Sequence, residues 1–516
     1  MTTRTLIALF ASALAFGQPA APPKKPKLVL ALLVDQFRQD YFYRFASHYN
    51  GGLHRLFTQG AVFTNAHYEH FPTVTAIGHA TYLSGATPSV SGIVGNEWYD
   101  RKLKKQITSV TDSDTRLLGA PGPGSSPRNL LVSTVVDELK MSGRAPTKAI
   151  GISIKDRSAI LPCGRMGDAA YWFDNKTGNM VSSTYYFSEL PAWVKQFNDS
   201  RFADKWRGQE WKPVGDAAGK AFTRMATEGE SYYGAMQRTP FGNELLEAFA
   251  ELAVTNEKLG QGPGTDVLAL SLSSNDYVGH AVGPDAPEVR DISIRTDRLL
   301  AKLFQFLEAK IGMRNVMVVF TADHGVAPLP EMMRSRRMPG GRMTEDEILK
   351  RVEAALTEHY GAGKWIVGKS GPAPYLNHEL IRSKRLDPAE VRVRAAQAVR
   401  DTPHILRVYT SDQLANGQIL DDVVDRRVRN GYHAQRAADL FIVAEPYYLF
   451  EKSGTSHGTP FNYDTHVPVI FMGPWFKTGK IHRRAAVNDI APTLAALLEV
   501  EVPSGATGRV LEEALR

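Results

Sequence analysis

The stretch KLVLALLVD, residues 27–35, places a continuous apolar run directly before an aspartate. Further short runs share this character: TKAIGISIK at 147–155, TDVLALSLSSND at 265–276, NVMVVFTADH at 315–324, ADLFIVAE and VPVIFMG. Apolar residues at consecutive rather than alternate positions indicate strands that are covered on both faces, as in a parallel sheet. Helical patterns lie between these runs. The sequence therefore predicts an α/β fold, a three-layer α/β/α sandwich with a mostly parallel central sheet.

Two regions interrupt this alternation of strands and helices. Residues from about 166 to 245 are rich in Tyr, Trp and Phe, whereas those from about 340 to 435 are charged and helical in pattern. In the second region, TEDE from Thr344 and DPAE from Asp387 have the spacing of capping boxes. We interpret both regions as cap elements inserted into a single domain that extends from residue 28 to residue 516.

The N-terminus has the pattern of a secretory signal. Residues 1–17 contain a basic residue, Arg4, then an apolar run and small residues suited to cleavage. The run is shorter than the roughly 20 apolar residues that a membrane span requires. We interpret residues 18–27 as a flexible linker. The sequence therefore predicts a periplasmic or secreted protein that is not held in a membrane after cleavage.

The bulk composition narrows the possible partners. The net charge is +7 and the pI about 9.2, values that suit nucleic acid, an acidic surface or an anionic small substrate. The densest basic cluster, RSRRMPGGR at 334–342, contains no interleaved aromatic residues and is interpreted as a solvated loop. No nucleic-acid partner is predicted. The one cysteine, Cys163, cannot form an intrachain disulfide and is interpreted as a packed thiol.

Chemically active side chains follow the predicted strands. Four strands end in such residues, at Asp35, at Lys155, at Asp276 and at the pair Asp323–His324. In open α/β sheets, sites form at the carboxyl ends of strands. One strand that ends in aspartate is commonplace, but four at one edge of a sheet predict a site.

The spacing of these residues indicates metal ligation. Asp276 and His280 lie four residues apart, so one helical turn would put both on the same face. Gly325 allows the chain to turn after His324, and His457 lies among small residues in SGTSHGTP. Each feature alone has an ordinary structural explanation. Together, carboxylate oxygens and imidazole nitrogens without cysteines suit a zinc site that is not of the structural, cysteine-bound type.

The stretch FPTVTAIGHATYLSG, residues 71–85, contains two threonines before a predicted helix. Either Thr73 or Thr75 suits a structural helix cap, because a threonine hydroxyl accepts a hydrogen bond from a free amide. Either could also be a nucleophile. His79, four residues after Thr75, is interpreted as a satisfied core histidine or a neighbour of the ligands rather than as a ligand.

With these residues in place, the chain resembles the alkaline phosphatase superfamily, in the branch of type I phosphodiesterases, nucleotide pyrophosphatases and threonine-dependent bacterial alkaline phosphatases. The matching pieces, in chain order, are LLVDQFR, HFPTVTAIGHATYLSG, GIVGN, ISIKDR, SSNDYVGH, FTADHG and SHGTPFNYDTHVP. They extend from about residue 28 to residue 474. One departure is Ser91, in PSVSGIVGN, where the family often has histidine.

The resemblance implies a site with two zinc ions. One ion would be held by Asp35, Asp323, His324 and the nucleophile hydroxyl, and the other by Asp276, His280 and His457. The nucleophile aligns with Thr75 and not with Thr73. Asn96 matches a phosphate-contacting asparagine, and Lys155 and Arg157 match a pair that is found in the monoester-hydrolysing phosphatases.

The charges favour phosphate monoesters. Three aspartates and a threonine alkoxide balance two zinc ions, so a monoester dianion needs further cations, which Lys155 and Arg157 supply. We therefore predict a monomeric alkaline phosphatase that acts through a covalent phosphothreonine on Thr75. The alternative is a phosphodiesterase or nucleotide pyrophosphatase on the same two zinc ions. A sulfatase is less favoured, because Cys163 lacks the C-x-P-x-R context, and a noncatalytic phosphate- or metal-binding module is the remaining alternative.

Overall fold

The computed structural model describes residues 25–216, 218–229 and 231–516. Its largest element is an eleven-stranded sheet. The strands are β1 (Leu28–Val34), β2 (Ala61–Phe63), β3 (Thr111–Leu118), β4 (Pro123–Ser125), β5 (Ala149–Ser153), β6 (Ala169–Phe173), β7 (Met180–Ser183), β8 (Asp266–Leu272), β9 (Val316–Thr321), β10 (Val469–Met472) and β11 (Gly479–Ile481). Their spatial order is β11-β2-β10-β9-β1-β8-β5-β6-β7-β3-β4.

The middle of the sheet is parallel. Strands β9, β1, β8, β5 and β6 pair in parallel, and Leu32 at the centre of β1 lies opposite Leu270 and Phe320. Every residue of β1, β8 and β9 is buried. Because successive side chains of a strand point to opposite faces, helices must cover both faces of the sheet. The three-layer α/β/α fold with a mostly parallel central sheet is thus confirmed.

The outer strands differ from the expected parallel arrangement. Strand β10, within the VPVIFMG run, pairs antiparallel with β9 and β2. The ADLFIVAE run forms Leu440–Ala444, which pairs with Ile405–Thr410 in a separate two-stranded sheet, so the expectation that it joins the central sheet is wrong. Its residues are buried in two separate cores: Leu440, Ile442 and Ala444 in one, and Phe441 and Val443 in the other. An apolar run in the sequence predicts that a strand is buried, but it does not show which hydrophobic core buries that strand.

Three helices carry residues of the site: α1 (Thr75–Ser84), α2 (Asp156–Ile160) and α3 (Ser274–Val282). The longest helix, α4 (Pro287–Lys310), packs against α3. The other α-helices are Tyr41–Arg44, Gly52–Gln59, Pro88–Ser91, Val135–Met141, Ala192–Asp199, Tyr232–Met236, Pro240–Asn256, Pro330–Ser335, Glu345–Tyr360, His378–Ser383, Pro388–Arg400, Ser411–Ala415, Val423–Gly431, Asn462–Thr465 and Ile490–Leu498. Small two-stranded pairings join Ala66–His67 to Ala485–Ala486, Glu97–Asp100 to Lys105–Thr108, Glu210–Trp211 to Thr223–Arg224, Gly341–Arg342 to Tyr448–Leu449, and Ile366–Ser370 to Ala373–Leu376.

The aromatic region at 166–245 begins inside the central sheet. Strands β6 and β7 belong to it, and β6 pairs in parallel with β5. Beyond β7, its rings pack on the helix Pro240–Asn256; Trp193, for example, lies 4.9 Å from Phe249 between ring centroids. The start of this region therefore extends the sheet and does not stand apart from it, because β6 is a continuous buried apolar run that pairs in parallel with β5.

The region at 340–435 has a hydrophobic core of its own. Ile348, Val352, Leu376, Val391 and Leu440 belong to this core. Buried Asp439 ties the region to the rest of the domain, because its carboxylate accepts hydrogen bonds from Arg392, at 3.2 Å, and from Arg101, at 2.8 Å. It also contacts His378 Nε2 at 2.8 Å. Burial raises the pKa of Asp439, but His378 and Arg101 outweigh it and bring the pKa to about 2.

Replacing Asp439 by alanine is expected to destabilise this region by about 1.5–3 kcal/mol, because Arg101, Arg392 and His378 lose a shared hydrogen-bond partner. Since the folded pKa of about 2 lies below the ordinary aspartate value of 3.8, the carboxylate stabilises the fold above pH 3.8. This contribution is lost as the pH falls from 3.8 towards 2. Urea unfolding measures both effects. Asp412→Ala is the control, because Asp412 also pairs with Arg392 but is 34% exposed, and we expect it to cost less than about 1 kcal/mol.

The predicted signal at 1–17 and most of the linker at 18–27 lie outside the described residues. Among the described residues, none of the helices combines the length and the apolar character that crossing a membrane requires.

Candidate active site

Acidic and imidazole side chains lie at one edge of the sheet, where the central parallel strands end. Asp35 directly follows β1, and Asp323 and His324 follow β9 after one residue. Asp276 lies four residues beyond β8, in the first turn of α3, and His280 is one turn further along that helix. Because β9, β1 and β8 are parallel neighbours, their carboxyl ends meet at this edge.

Asp35, Asp323 and His324 form a first cluster, in which all three side chains are fully buried. His324 Nε2 lies 3.3 Å from Asp323 Oδ2 and 3.6 Å from Asp35 Oδ1. Asp35 Oδ1 and Asp323 Oδ2 are buried and have no hydrogen-bond partner among the described residues. Buried carboxylate oxygens without donors are costly, and their mutual approach is typical of a cation site.

Asp276, His280 and His457 form a second cluster. The Nε2 atoms of His280 and His457 lie 3.1 Å and 3.8 Å from Asp276 Oδ1. The helical spacing of Asp276 and His280 therefore brings them together as predicted, and the loop at 455–466 brings His457 to them. In each cluster the ligand atoms of the three residues lie within 4.8 Å of one another.

The three histidines present the same ring nitrogen to the clusters. The Nδ1 atom of each histidine lies beside a backbone carbonyl oxygen. The distances are 2.8 Å from His280 to Thr455 O, 2.8 Å from His457 to Thr73 O and 2.9 Å from His324 to Gly325 O. A carbonyl oxygen only accepts, so each Nδ1 carries the proton. Each Nε2 is then left as a lone-pair donor that faces its cluster, which is the arrangement of metal-ligating histidines.

The two clusters adjoin one another. The Nζ atom of buried Lys155 lies 2.6 Å from Asp35 Oδ2 and 2.6 Å from Asp276 Oδ2, so it links one carboxylate of each cluster. The rings of His324 and His457 stack at 3.4 Å between centroids. The predicted substrate-binding Lys155 therefore lies between the clusters and pairs with two of the predicted ligands.

Burial and charge set the ionisation of the clusters. Burial holds the pKa of Asp323 well above its usual range, and Asp35 adds to this effect. Burial also lowers the pKa of His324 to about 3, so its ring is neutral and able to ligate at pH 7. Burial acts against protonation of His280 as well, but Asp276 outweighs it and raises the pKa of His280 to about 9. A divalent cation would relieve the repulsion between the carboxylates and displace the imidazole proton.

Thr75 is the first residue of α1, and its side chain is buried. Val74 is the N-cap residue, so Thr75 does not cap the helix. Thr75 Oγ1 lies 3.5 Å from His324 Nε2, beside the first cluster. Gly78 allows α1 to approach the Asp323 backbone closely, because a Cβ atom at Gly78 would lie 2.3 Å from Asp323 O. Thr73 serves the structure instead, since its hydroxyl donates to Thr459 O at 2.9 Å.

Asn96 and Arg157, the remaining predicted substrate-binding residues, flank this helix start and Lys155. Asn96 Oδ1 accepts a hydrogen bond from the Ala76 amide at 2.8 Å, which leaves the side-chain NH₂ group as a donor near Thr75. Arg157 lies in α2, two residues after Lys155, and its buried Nε has no partner among the described residues. Its closest carboxylate contact is with Asp156, at 3.9 Å.

Two further residues support the clusters. His79 contacts Thr75 O and Ser271 Oγ at 2.8 Å each, so it is satisfied near the ligands, as the sequence indicated. Gln36 was missed: its backbone amide donates to Asp323 Oδ1 at 3.1 Å, and its side chain donates to Asp276 Oδ1 at 2.8 Å. It thus connects the two clusters. Its position next to Asp35, at the end of β1, was the one signal in the sequence that could have identified it.

An α/β fold with two carboxylate–imidazole clusters beside a helix-borne threonine places the protein in the alkaline phosphatase superfamily of hydrolases. Within it, the chain belongs to the type I phosphodiesterase / nucleotide pyrophosphatase family, whose sequence model matches residues 29–467.

Similar proteins cover nearly the whole chain. It is 36% identical to alkaline phosphatase PafA of Elizabethkingia meningoseptica, over 95% of both chains. It is 34% identical to alkaline phosphatase PhoV of Synechococcus elongatus, over 97% of this chain and 95% of the relative. A crystal structure of wild-type PafA matches with a TM-score of 0.89 over 95% of this chain and 99% of that one.

Proposed function

We propose that this protein is a zinc-dependent alkaline phosphatase, which hydrolyses phosphate monoesters through a covalent phosphothreonine on Thr75. The observation that carries the proposal is the position of Thr75 Oγ1, 3.5 Å from His324 Nε2 at the start of α1. The relatives that cover the chain are named alkaline phosphatases, which supports the same activity.

The donor set fits zinc. Asp35, Asp323, His324 and the Thr75 hydroxyl would hold one ion, and Asp276, His280 and His457 the other, since both sets combine oxygen with imidazole nitrogen. The unpartnered oxygens of Asp35 and Asp323 support this assignment. Zinc, when bound, supplies Lewis-acid stabilisation of the attacking and leaving oxygens and favours the ionised hydroxyl.

The residues of the chain then carry out two displacements. Thr75 Oγ attacks phosphorus, the phosphorus–oxygen bond to the leaving alcohol breaks, and the alcohol departs with a proton. Water next attacks the phosphothreonine and releases phosphate, which returns the hydroxyl of Thr75. The N-terminus of α1 adds favourable potential for the negative phosphoryl group, and the Asn96 amide group donates to it.

The charge around Arg157 favours monoesters over diesters. Lys155 already pairs with Asp35 and Asp276, whereas the one carboxylate beside the Arg157 guanidinium among the described residues is that of Asp156, at 3.9 Å. The guanidinium is therefore available to a phosphoryl oxygen, and its planar donors match two oxygens at once. A monoester offers one more anionic oxygen than a diester, so it gains more from this side chain.

Arg157→Ala is therefore expected to lower kcat/KM for an aryl phosphate by about 10–100-fold, the worth of a charge-assisted hydrogen bond. The value for the matching bis-aryl diester should change less. Steady-state kinetics on both substrates measures the difference. Arg165→Ala is the control, because Arg165 donates to the carbonyls of Leu130 and Arg128 and should leave both values unchanged. An equal loss on the two substrates would refute the role assigned to Arg157.

The alternative function, a phosphodiesterase or nucleotide pyrophosphatase, draws support from the description of the family. The wild-type ratio of kcat/KM for the aryl phosphate to that for the bis-aryl phosphate decides between the two. We expect the monoester to be preferred. A higher value for the diester would assign the chain to the alternative.

We propose further that the protein acts as a monomer in the periplasm or outside the cell. Residues 1–17 have the signal pattern that supports export. N-terminal sequencing of the exported protein and light scattering test these two statements; an uncleaved N-terminus or a dimer mass would contradict them.

A further inference from the structure

A pocket outside the two clusters lies next to the loop that carries His457. It has a volume of about 480 Å³, and its lining includes Arg38, Asp40, Arg427 and the rings of Tyr447, Phe461 and Tyr463. Its lining contains neither members of the two clusters nor the proposed phosphate-binding residues Asn96, Lys155 and Arg157. The phosphate-ester site therefore leaves this pocket unexplained.

Arg427 is an unusual member of this lining. The residue is 2% exposed, and its Nη1 donates to Pro460 O at 2.6 Å. Its buried Nε has no partner, and no carboxylate lies within 4.0 Å of its guanidinium among the described residues. Burial lowers the pKa of Arg427 to about 10, although Glu69 opposes this effect. Burial of a guanidinium without an anionic partner costs free energy, so binding of an anion to Arg427 would be favourable.

The charge of the lining limits the ligand to one negative charge. Arg38 forms a forked pair with Asp40, at 2.9 Å and 3.1 Å, and its Nη1 donates to Val326 O at 3.1 Å. This pair is neutral. Burial lowers the pKa of His466, which also lines the pocket, so its ring is uncharged at pH 7. Among the described residues that line the pocket, Arg427 is then the one uncompensated charge, which matches a carboxylate better than a phosphate dianion.

The aromatic side chains of the lining indicate that the ligand contains a flat ring. The ring centroids of Tyr447 and Tyr463 are 5.2 Å apart, and those of Phe461 and Tyr463 are 5.8 Å apart. Such a group of rings offers stacking and edge contacts to another flat ring. We propose that this pocket binds a small aromatic carboxylate, with its carboxylate on Arg427 and its ring against Tyr447, Phe461 and Tyr463.

A brominated benzoate tests the proposal directly. Crystals of the zinc-loaded full chain are soaked with 4-bromobenzoate, and the bromine is located by anomalous scattering. We expect a bromine peak among the three rings and carboxylate density on Arg427. Bromine only at the zinc clusters, only on the surface, or nowhere at millimolar ligand would overturn the proposal.

Calorimetric titration with the same compound tests the role of Arg427. We expect Arg427→Gln to weaken binding by about tenfold or more, because a charge-assisted bond is lost. Tyr447→Ala, which removes one wall and spares the buried charge, should weaken binding even if the first variant does not fold. Arg436→Gln is the matched control, since Arg436 likewise donates to carbonyls, those of Gly92 and Asn129, outside the pocket. Unchanged affinity in the first two variants would refute the site.

Discussion

Thr75→Ala is expected to abolish turnover of phosphate monoesters, with a fall in kcat of about 10⁴-fold or more. The variant loses the oxygen that attacks phosphorus, and water cannot occupy the same fixed position beside His324. Thr75 is the first residue of α1, is buried and does not cap the helix, so its loss should leave the fold intact. Steady-state kinetics with an aryl phosphate measures the loss, and thermal unfolding verifies the fold.

Thr73→Ala supplies the matched control. Thr73 belongs to the same segment and is equally buried, but its hydroxyl donates to Thr459 O. We expect this variant to lose about 1 kcal/mol of stability and to keep most of its activity. Thr75→Ser, which retains a hydroxyl, should be active. Rapid quenching of the reaction of this variant or of the wild type should trap a phosphorylated residue. If the two alanine variants exchanged these outcomes, the assignment of the nucleophile would be wrong.

Removal of the metal ions is expected to have an effect of similar size. A chelator should reduce activity to background, and zinc should restore it. Asp276→Ala, which deletes the one carboxylate of the proposed second zinc site, should lower kcat/KM by about 10³-fold or more and the zinc content from two ions to one. Elemental analysis of the dialysed protein and the aryl phosphate assay measure the two effects.

Asp297→Asn is the control for a buried acid outside the clusters. Asp297 accepts the backbone amides of Asn50, Gly51 and His54, so its replacement should lower stability but leave the zinc content at two. A chain that remains fully active after the chelator has removed all metal would exclude the proposed chemistry.

The sequence reveals the parallel centre of the fold because burial on both faces leaves a continuous apolar run, as in β1, β8 and β9. The acidic residues that end these runs then follow from the topology of a parallel sheet. The i, i+4 spacing of Asp276 and His280 likewise fixes their common helical face. These local rules predicted which residues could lie close together, and in the structure those residues form two clusters.

Other features depend on contacts that no local pattern records. Leu440–Ala444 has the composition of a central strand, but two separate cores bury it. The link that Gln36 forms between the clusters depends on how closely α3 approaches: a Cβ atom on Gly279 would lie 1.8 Å from Gln36 Oε1. The contact that holds the buried Arg427 guanidinium joins the helix Val423–Gly431 to Pro460, 33 residues further along the chain.

The most direct test of the two-metal site is a crystal structure of the zinc-loaded protein with anomalous data on both sides of the zinc absorption edge. Two peaks are expected, one bounded by Asp35, Asp323, His324 and Thr75 Oγ1, and the other by Asp276, His280 and His457. A single peak, or peaks away from these side chains, or a Thr75 hydroxyl turned away from the first ion, would contradict the account.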